Sequence, residues 1–230
     1  MHVTDPTLRP TPVVRIGPLK LTGPAALVAV LFLLAGIVGL VVLSRPRASM
    51  LLAGAIWVGF IVYWSAAAAK APAAQRAEPA ASRQRHQMLL NVALLLLFVP
   101  IPGLRLRLFG SVRTPVIGLG VEVAGALFYL WAKRELGRNW SGEISVKPDH
   151  ALVRSGPYAR LRHPMYTALI AMAVGTTIVC NRLHAVFGAV TMAYGYVRKI
   201  ALEELWMREE FGAAWDDYRR ASWALIPFVY

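Results

Sequence analysis

Residues 24–43 form an uninterrupted apolar run of about the length that crosses a lipid bilayer as a helix, and the charged, proline-containing segment 44–47 ends it. Further apolar runs follow at about 50–69, 88–101, 115–131, 164–179 and 183–197. Backbone polar groups inside a bilayer must be satisfied within the segment, which makes such runs helices. The sequence therefore predicts an all-α, polytopic transmembrane helical bundle of five to six apolar segments.

Composition supports a membrane protein, since 57% of the residues are hydrophobic and only 16% are charged. The net charge of +13 comes from Lys and Arg residues spread over the links between apolar runs. They form no dense basic stripe, so we expect membrane flanks and no nucleic-acid partner. The single cysteine, Cys180, excludes an intrachain disulfide and a Cys-based zinc cluster, and we expect no metal site.

The chain is expected to contain three regions. Residues 1–23 are proline-rich and predict a flexible N-terminal arm, residues 24–131 predict transmembrane helices one to four, and residues 132–230 contain the polar chemistry. Within the second region, residues 70–87 predict a solvated loop. Within the third, two apolar runs separated by Cys180-Asn181-Arg182 predict a helical hairpin, the runs being 164–179 and 183–197.

The distribution of positive charge predicts an orientation. With the N-terminus inside, 19 of the 25 Lys and Arg residues fall in the arm, links and tail on the inner side. We therefore expect a multi-pass protein of the inner or plasma membrane, with the link at 132–163 and the C-terminal tail in the cytosol. The tail, residues 199–218, predicts an amphipathic interfacial helix with Leu202, Leu205 and Trp206 on one face, continued by Phe211, Trp215 and Tyr218.

Two features of the fourth apolar run suggest packing. Glu122 is too costly to face lipid, so it should face the bundle interior, where a functional role or a hydrogen bond to a neighbour such as Asn91 would explain it. Gly118, Gly120 and Gly125 have the wrong spacing for a nucleotide fingerprint and indicate close helix packing.

The polar stretch at 149–166 is the first candidate site. Arg162-His163-Pro164 predicts a helix start, whose free amides and dipole could seat a carboxylate or another anion, with Tyr166 one turn further on. Spacing alone leaves open that His163 caps the helix and Arg162 reaches lipid phosphates. The Gly156-Pro157-Tyr158 turn could form a floor for a planar ring or serve as a loop anchor.

The second candidate cluster is Arg198-Lys199 followed by Glu203-Glu204. Lys199 and Glu203 are four residues apart and could form an exposed ion pair. A carboxylate there could instead hold an amine, a ribose diol or a cationic centre. Because adjacent residues diverge around a helix, only one of the two glutamates can share a given face.

These clusters, with other short motifs, resemble the isoprenylcysteine carboxyl methyltransferase (ICMT) family and the related phospholipid methyltransferases, in a bacterial-type branch. The resemblance covers roughly the last 95 residues. The matching residues are Leu136-Gly137-Arg138-Asn139-Trp140-Ser141, then His150-x-Leu152-Val153-x-x-Gly156-Pro157-Tyr158-x-x-x-Arg162-His163-Pro164-x-Tyr166, and finally Glu203-Glu204 with Phe211-Gly212 and Tyr218.

The resemblance implies an integral-membrane methyltransferase that binds S-adenosylmethionine in a cytosol-facing pocket formed by the polar loop and the C-terminal helix. The acceptor would be a lipophilic small molecule or prenylated substrate reached from the membrane lipids, most of all a carboxylate. A carboxylate needs no general base, since it is already ionised near neutral pH.

The resemblance also assigns residues to roles. Glu203 or Glu204 would close the cofactor site from the tail, and Arg162 or Arg198 would orient the acceptor carboxylate, so that Arg162, Arg198 and Glu204 are the catalytic candidates. The cofactor-binding candidates are His150, Leu152, Val153, Gly156, Tyr158, His163, Tyr166 and Glu203.

Other functions stay open on the sequence. The acceptor could be a phospholipid amine or a small thiol. The ending at 223–227 also resembles NADPH-dependent membrane sterol or enone reductases. A membrane scaffold without enzymatic activity is a third hypothesis.

Overall fold

A computed structural model describes residues 15–16, 19–20, 48–70, 76–104, 106–111, 113–142, 145–146 and 151–228. The helices of this described part are α1 Ala48–Ala69, α2 Ala80–Phe98, α3 Thr114–Leu136, α4 Pro164–Cys180, α5 Leu183–Phe211 and α6 Ala213–Arg220. Two short 3-10 turns, Gly137–Asn139 and Gly156–Ala159, flank the polar link. The helical fold predicted from the sequence is therefore confirmed, whereas the expected first span at 24–43 lies outside the described residues.

The strands are minimal. β1 (Arg15–Ile16) pairs antiparallel with β2 (Leu19–Lys20), and β3 (Arg76–Ala77) pairs antiparallel with β4 (Ser145–Val146). Each strand has two residues, so the helices carry the architecture of the described part.

Within the described residues, two helices are long and apolar enough to cross a membrane, α1 with 22 residues and α3 with 23. Apolar helix α4 is shorter, with 17 residues. The outer faces of the helices carry large exposed apolar side chains, among them Leu52, Val58, Val62, Val116, Ile117, Leu127, Val190 and Tyr194. Exposed apolar surface of this extent fits contact with lipid.

Glycines let α3 and α4 approach closely. A Cβ atom at Gly118 would lie 2.7 Å from the Gly175 carbonyl oxygen, and one at Gly125 would lie 2.9 Å from the Ala168 carbonyl oxygen. The prediction of close packing is thus confirmed at Gly118 and Gly125, but at Gly120 a Cβ atom would meet nothing within 4 Å. A second close approach joins α5 to α2, where a Cβ atom at Gly188 would lie 2.8 Å from the Ala93 carbonyl oxygen.

Glu122 is completely buried, as the cost of a carboxyl group in lipid requires. Its partner is Thr176 on α4, whose hydroxyl donates to Glu122 Oε2 at 3.1 Å, and the indole of Trp57 on α1 donates to that same hydroxyl oxygen at 2.8 Å. The suggested bond to Asn91 is wrong, since Asn91 accepts a hydrogen bond from Gln87 on an exposed face. Glu122 therefore ties α1, α3 and α4 together.

Two boundaries differ from the sequence prediction. Helix α2 begins at Ala80, so residues 80–87 are helical and not part of a solvated loop. Alanine, glutamine and arginine are good helix formers, and nothing interrupts them before the apolar run. Residues 199–211 do not form a separate interfacial helix, because α5 continues without a break until Gly212 at φ +52° ends it.

The predicted hairpin of α4 and α5 is confirmed. Asn181 ends α4 in the left-handed conformation, at φ 55°. Its side-chain oxygen accepts from the amides of Leu108 and Phe109, at 3.0 and 2.7 Å, and its amide group donates to the Phe109 carbonyl oxygen at 2.7 Å. The turn is thereby bound to the segment before α3.

The glycine contacts predict a contrast between two substitutions in one helix. Gly118→Ala places a methyl group against the α4 backbone and should cost about 1–3 kcal/mol of stability. Gly120→Ala, one half-turn away in open space, should be neutral or slightly stabilising. Thermal unfolding in detergent micelles checks this, and equal midpoints for the two variants would contradict the close α3–α4 approach.

Candidate active site

The start of α4 is held by backbone pairing with the C-terminal segment. The amides of Arg162 and His163 donate to the carbonyl oxygens of Trp223 and Ala224, at 2.8 and 3.0 Å, and the Trp223 amide donates back to Arg160 at 3.0 Å. The hydroxyl of Thr167 adds a bond to the Leu225 carbonyl oxygen at 2.7 Å. These bonds fix the polar turn against the tail.

Glu204 on α5 meets both polar residues of that turn. The Arg162 guanidinium donates through Nε to Glu204 Oε1 at 2.7 Å, and His163 Nε2 lies 3.2 Å from the same oxygen. An ionised carboxylate only accepts, so His163 carries its proton on Nε2. Arg219 Nε approaches the other carboxylate oxygen at 3.7 Å. The site is a charged junction between the α4 start, α5 and α6.

The protonation of Glu204 follows from this setting. Burial by itself raises the pKa of this carboxyl, but the hydrogen bonds and charges of His163 and Arg162 outweigh it and lower the pKa from 4.5 to about 2. Glu204 is therefore a carboxylate at any physiological pH.

Glu203 takes part in a separate set of contacts. The Tyr166 hydroxyl donates to Glu203 Oε2 at 2.7 Å, and His163 Nδ1 lies 3.6 Å from that oxygen. The two adjacent glutamates thus both face the α4 start, contrary to the expectation that only one of them could. Glu203 reaches towards Tyr166 and Glu204 towards Arg162, so the α5 face is wide enough for both.

Aromatic rings form a column beside these carboxylates. The His163 and Tyr166 rings are stacked at 5.5 Å and 6° between planes, and the Tyr166 and Tyr196 rings at 4.9 Å and 20°. Lys199 Nζ lies 5.8 Å from the centre of the Tyr166 ring. The column places three stacked rings next to two carboxylates.

The turn at Gly156 packs tightly on the end of α3. Gly156 has φ +55°, and a Cβ atom there would lie 2.8 Å from the Glu135 carboxyl carbon, so the position requires glycine. The following residue pair brings Tyr158 inward, and its backbone oxygen accepts from the Tyr218 hydroxyl at 2.6 Å. The Tyr158 side chain is 5% exposed, yet its hydroxyl has no hydrogen-bond partner.

The structure changes the expected use of some residues. Arg162 was expected to orient an acceptor, but its guanidinium donates hydrogen bonds to Glu204 and to the carbonyl oxygens of Arg219 and Ser222. The amides of Tyr166 and Thr167 both donate to the His163 carbonyl oxygen, so the α4 start has less capacity for an external anion than expected. The carboxylates that lie beside this helix start are those of Glu203 and Glu204, not those of an external ligand.

The remaining candidates lie at different places. Arg198 is on α5 about one and a half turns before Glu204, and its Nη2 donates to Ser82 Oγ of α2 at 3.2 Å. Leu152 and Val153 are half-buried in the link before Gly156. His150 lies outside the described residues. Of the predicted tail stripe, Trp206, Trp215 and Tyr218 are buried, whereas Leu205 is exposed and was assigned wrongly.

Sequence reasoning missed Tyr196, Arg219 and the 222–225 segment. Tyr196, Lys199 and Glu203 follow one another at three- and four-residue spacing, which places them on one helix face and could have identified Tyr196. The pairing of residues 160–163 with 223–224 has no local signal, because it joins distant parts of the chain.

Comparison with known proteins shows that these clusters lie in a stretch of the chain that matches one protein family. The sequence model of the isoprenylcysteine carboxyl methyltransferase (ICMT) family matches residues 117–209. A rice protein (Oryza sativa subsp. indica) named as a probable protein-S-isoprenylcysteine O-methyltransferase is 28% identical over 116 residues, 49% of this chain and 61% of that protein. Protein-S-isoprenylcysteine O-methyltransferase A of Arabidopsis thaliana is 30% identical, over 49% of this chain and 58% of that protein.

A solved structure of the eukaryotic intramembrane Ras methyltransferase ICMT aligns with 64% of this chain and 53% of that chain, at 22% identity and a TM-score of 0.48. The chain spans about three-fifths of the length of the rice relative.

The described residues form a helical bundle of the membrane-protein class, and a charged and aromatic site lies at the start of α4. Residues 117–209, which contain most of α3, all of α4 and most of α5, match the sequence model of the ICMT family, and the resemblance seen in the motifs is thereby confirmed.

The lowered pKa of Glu204 predicts a defined pH dependence of stability. The stabilisation from its carboxylate is fully present above about pH 4.5 and is lost as the pH falls towards 2. Thermal midpoints of the wild type and Glu204→Gln should therefore differ most above pH 5, by the equivalent of about 2 kcal/mol, and converge at lower pH. A difference that stays constant down to pH 2 would contradict the junction.

Proposed function

We propose that this chain is an integral-membrane, S-adenosylmethionine-dependent methyltransferase that acts on the carboxylate of a lipophilic, prenylated acceptor. The observation that carries the proposal is the convergence of Arg162 and His163 with Glu203 and Glu204. These residues are far apart in sequence and come from the two motifs that the family shares. The names of the relatives supply the acceptor class.

The residues present fit the methyl donor. The buried Tyr158 hydroxyl lacks a protein partner, and burial together with nearby Glu203 raises its pKa, so it remains a donor. A buried donor without a partner is costly unless a ligand or water satisfies it. Glu203 offers a carboxylate to a ribose diol or a cationic centre, and the aromatic rings of His163 and Tyr166 lie beside it.

S-adenosylmethionine, when bound, supplies a methyl group already activated on a sulfonium centre. The protein then needs to align the acceptor and strip it of water. An acceptor carboxylate is ionised near neutral pH, and Arg198 would pair with it. Arg162 is a positioning residue in this scheme, because its contacts with Glu204 and the tail hold the α4 start in place.

The membrane setting is part of the proposal. The exposed apolar faces of α1 and α3 would contact membrane lipids, and the lipophilic part of the acceptor would enter from there. The excess of Lys and Arg in the link and tail supports a site on the cytosolic side of a multi-pass protein of the inner or plasma membrane. None of the relatives reported above is a reductase, and the NADPH alternative gains no support.

The direct test supplies labelled methyl donor and N-acetyl-S-farnesylcysteine to the protein in lipid nanodiscs. The proposal expects a methyl ester that mild base hydrolyses. Label recovered in a base-stable lipid amine or thioether would keep the methyltransferase but overturn the carboxylate acceptor. No transfer to any lipid extract, together with binding of NADPH, would favour the reductase.

A matched pair of tyrosine variants tests the cofactor residues. Tyr158→Phe removes a hydroxyl without a protein partner, so the thermal midpoint should hold while the dissociation constant for S-adenosylhomocysteine rises roughly tenfold. Tyr218→Phe removes bonds to the carbonyl oxygens of Tyr158 and Leu161, so it should lower the midpoint. A Tyr158→Phe protein with full affinity would contradict this placement of the cofactor.

A further inference from the structure

We propose that His86 of helix α2 is part of the acceptor site and binds the carboxylate of the acceptor through its free ring nitrogen. This inference rests on the function proposed above and adds a residue from outside the region that matches the ICMT family. It also means that α2 helps to select the substrate.

His86 is buried and incompletely satisfied. Its side chain is 7% exposed, and Nδ1 is buried without a hydrogen-bond partner in the described structure. A second buried histidine, His184, shows the usual arrangement, with Nδ1 at 2.8 Å from the Leu96 carbonyl oxygen. An imidazole nitrogen that is desolvated without a partner costs stability, and such a group indicates a place where a polar ligand binds.

The ring of His86 continues the aromatic column of the active site. It meets Tyr196 edge to face, with centroids 5.5 Å apart. Tyr196 stacks on Tyr166, which stacks on His163. The free nitrogen is thus at the α2 end of the same row of rings that begins at the proposed cofactor site.

The surroundings of His86 suit an anion. Ser82 lies one turn earlier on the same face of α2 and binds Arg198, the residue proposed to pair with the acceptor carboxylate. On α5, Gly195 faces the histidine, and a Cβ atom there would lie 3.8 Å from Nδ1 in ordinary contact. The absent side chain of Gly195 therefore leaves room for about one methyl-sized group beside the nitrogen.

Charge determines what His86 can bind. Burial and the positive charges of Lys199 and Arg198 lower the pKa of His86 and outweigh the opposing effect of the Gly195 backbone, so the imidazole is neutral. A neutral imidazole carries one N–H donor, and with the proton on Nδ1 it can donate to a carboxylate oxygen. The same two cations favour a negative ligand, so an acceptor carboxylate fits where a cationic amine does not.

The test compares His86→Phe with His184→Phe in binding and turnover of N-acetyl-S-farnesylcysteine. His86→Phe keeps the ring contact with Tyr196 but removes the nitrogen, so its dissociation constant and KM should rise roughly tenfold or more. Affinity for S-adenosylhomocysteine and for an analogue of the probe that lacks the carboxyl group should be unchanged. His86→Gln, which restores a donor, should recover most of the loss, whereas His184→Phe should lower thermal stability.

Equal affinity of the wild type and His86→Phe for the carboxylate probe would overturn the inference, because the gap at Gly195 would then hold only water. An equal loss for the analogue without the carboxyl group would also overturn it, since the effect would then be one of shape. Binding of S-adenosylhomocysteine without any binding of the probe by the wild type would contradict the acceptor site but leave the donor site standing. Failure of both ligands would contradict the proposed function itself.

Discussion

The pairing of Glu204 with Arg162 and His163 is the interaction on which the site depends. The Arg162 and Glu204 side chains are largely buried, and charges in such a setting are tolerated only when they are paired and hydrogen-bonded. Here Arg162 and His163 belong to the turn before α4 and the Glu204 carboxylate belongs to α5, so the two halves of the hairpin are fixed relative to each other at one end. Arg162 also bonds the carbonyl oxygens of Arg219 and Ser222, so the charged junction holds the tail over the same place.

Packing elsewhere in the bundle brings the other parts of the site within reach. Gly118 and Gly175 let α3 lie against α4, and this presents Glu135 to the Gly156 turn and Tyr158 to the interior. Gly188 lets α2 lie against α5, and this presents His86 to Tyr196. Helix α2, which lies outside the region that matches the family, therefore still shapes the site, because close backbone contacts decide where the motif residues point.

The sequence predicted the helical class, the α4–α5 hairpin and the neighbourhood of the Arg162-His163 and Glu203-Glu204 motifs, because apolar runs and proline positions are local signals. It could not predict that Arg162 would bond to Glu204 and to the tail, since this depends on strand-like pairing between Leu161 and Trp223. Nor could it place the partner of Glu122, because Thr176 is 54 residues away. The start of α2 and the end of α5 were predicted wrongly. At both places charged helix-forming residues extend an apolar helix, whereas the sequence pattern suggested a loop or a separate helix.

A double-mutant cycle on S-adenosylhomocysteine binding tests the central claim most directly. The dissociation constant would be measured for the wild type, Arg162→Gln, Glu204→Gln and the double variant, with thermal midpoints recorded beside it. If the junction builds the cofactor site, each single change weakens binding about tenfold and the double variant is no weaker than the worse single one, because both remove the same contact. Independent, additive losses, or wild-type affinity in all variants, would contradict the account.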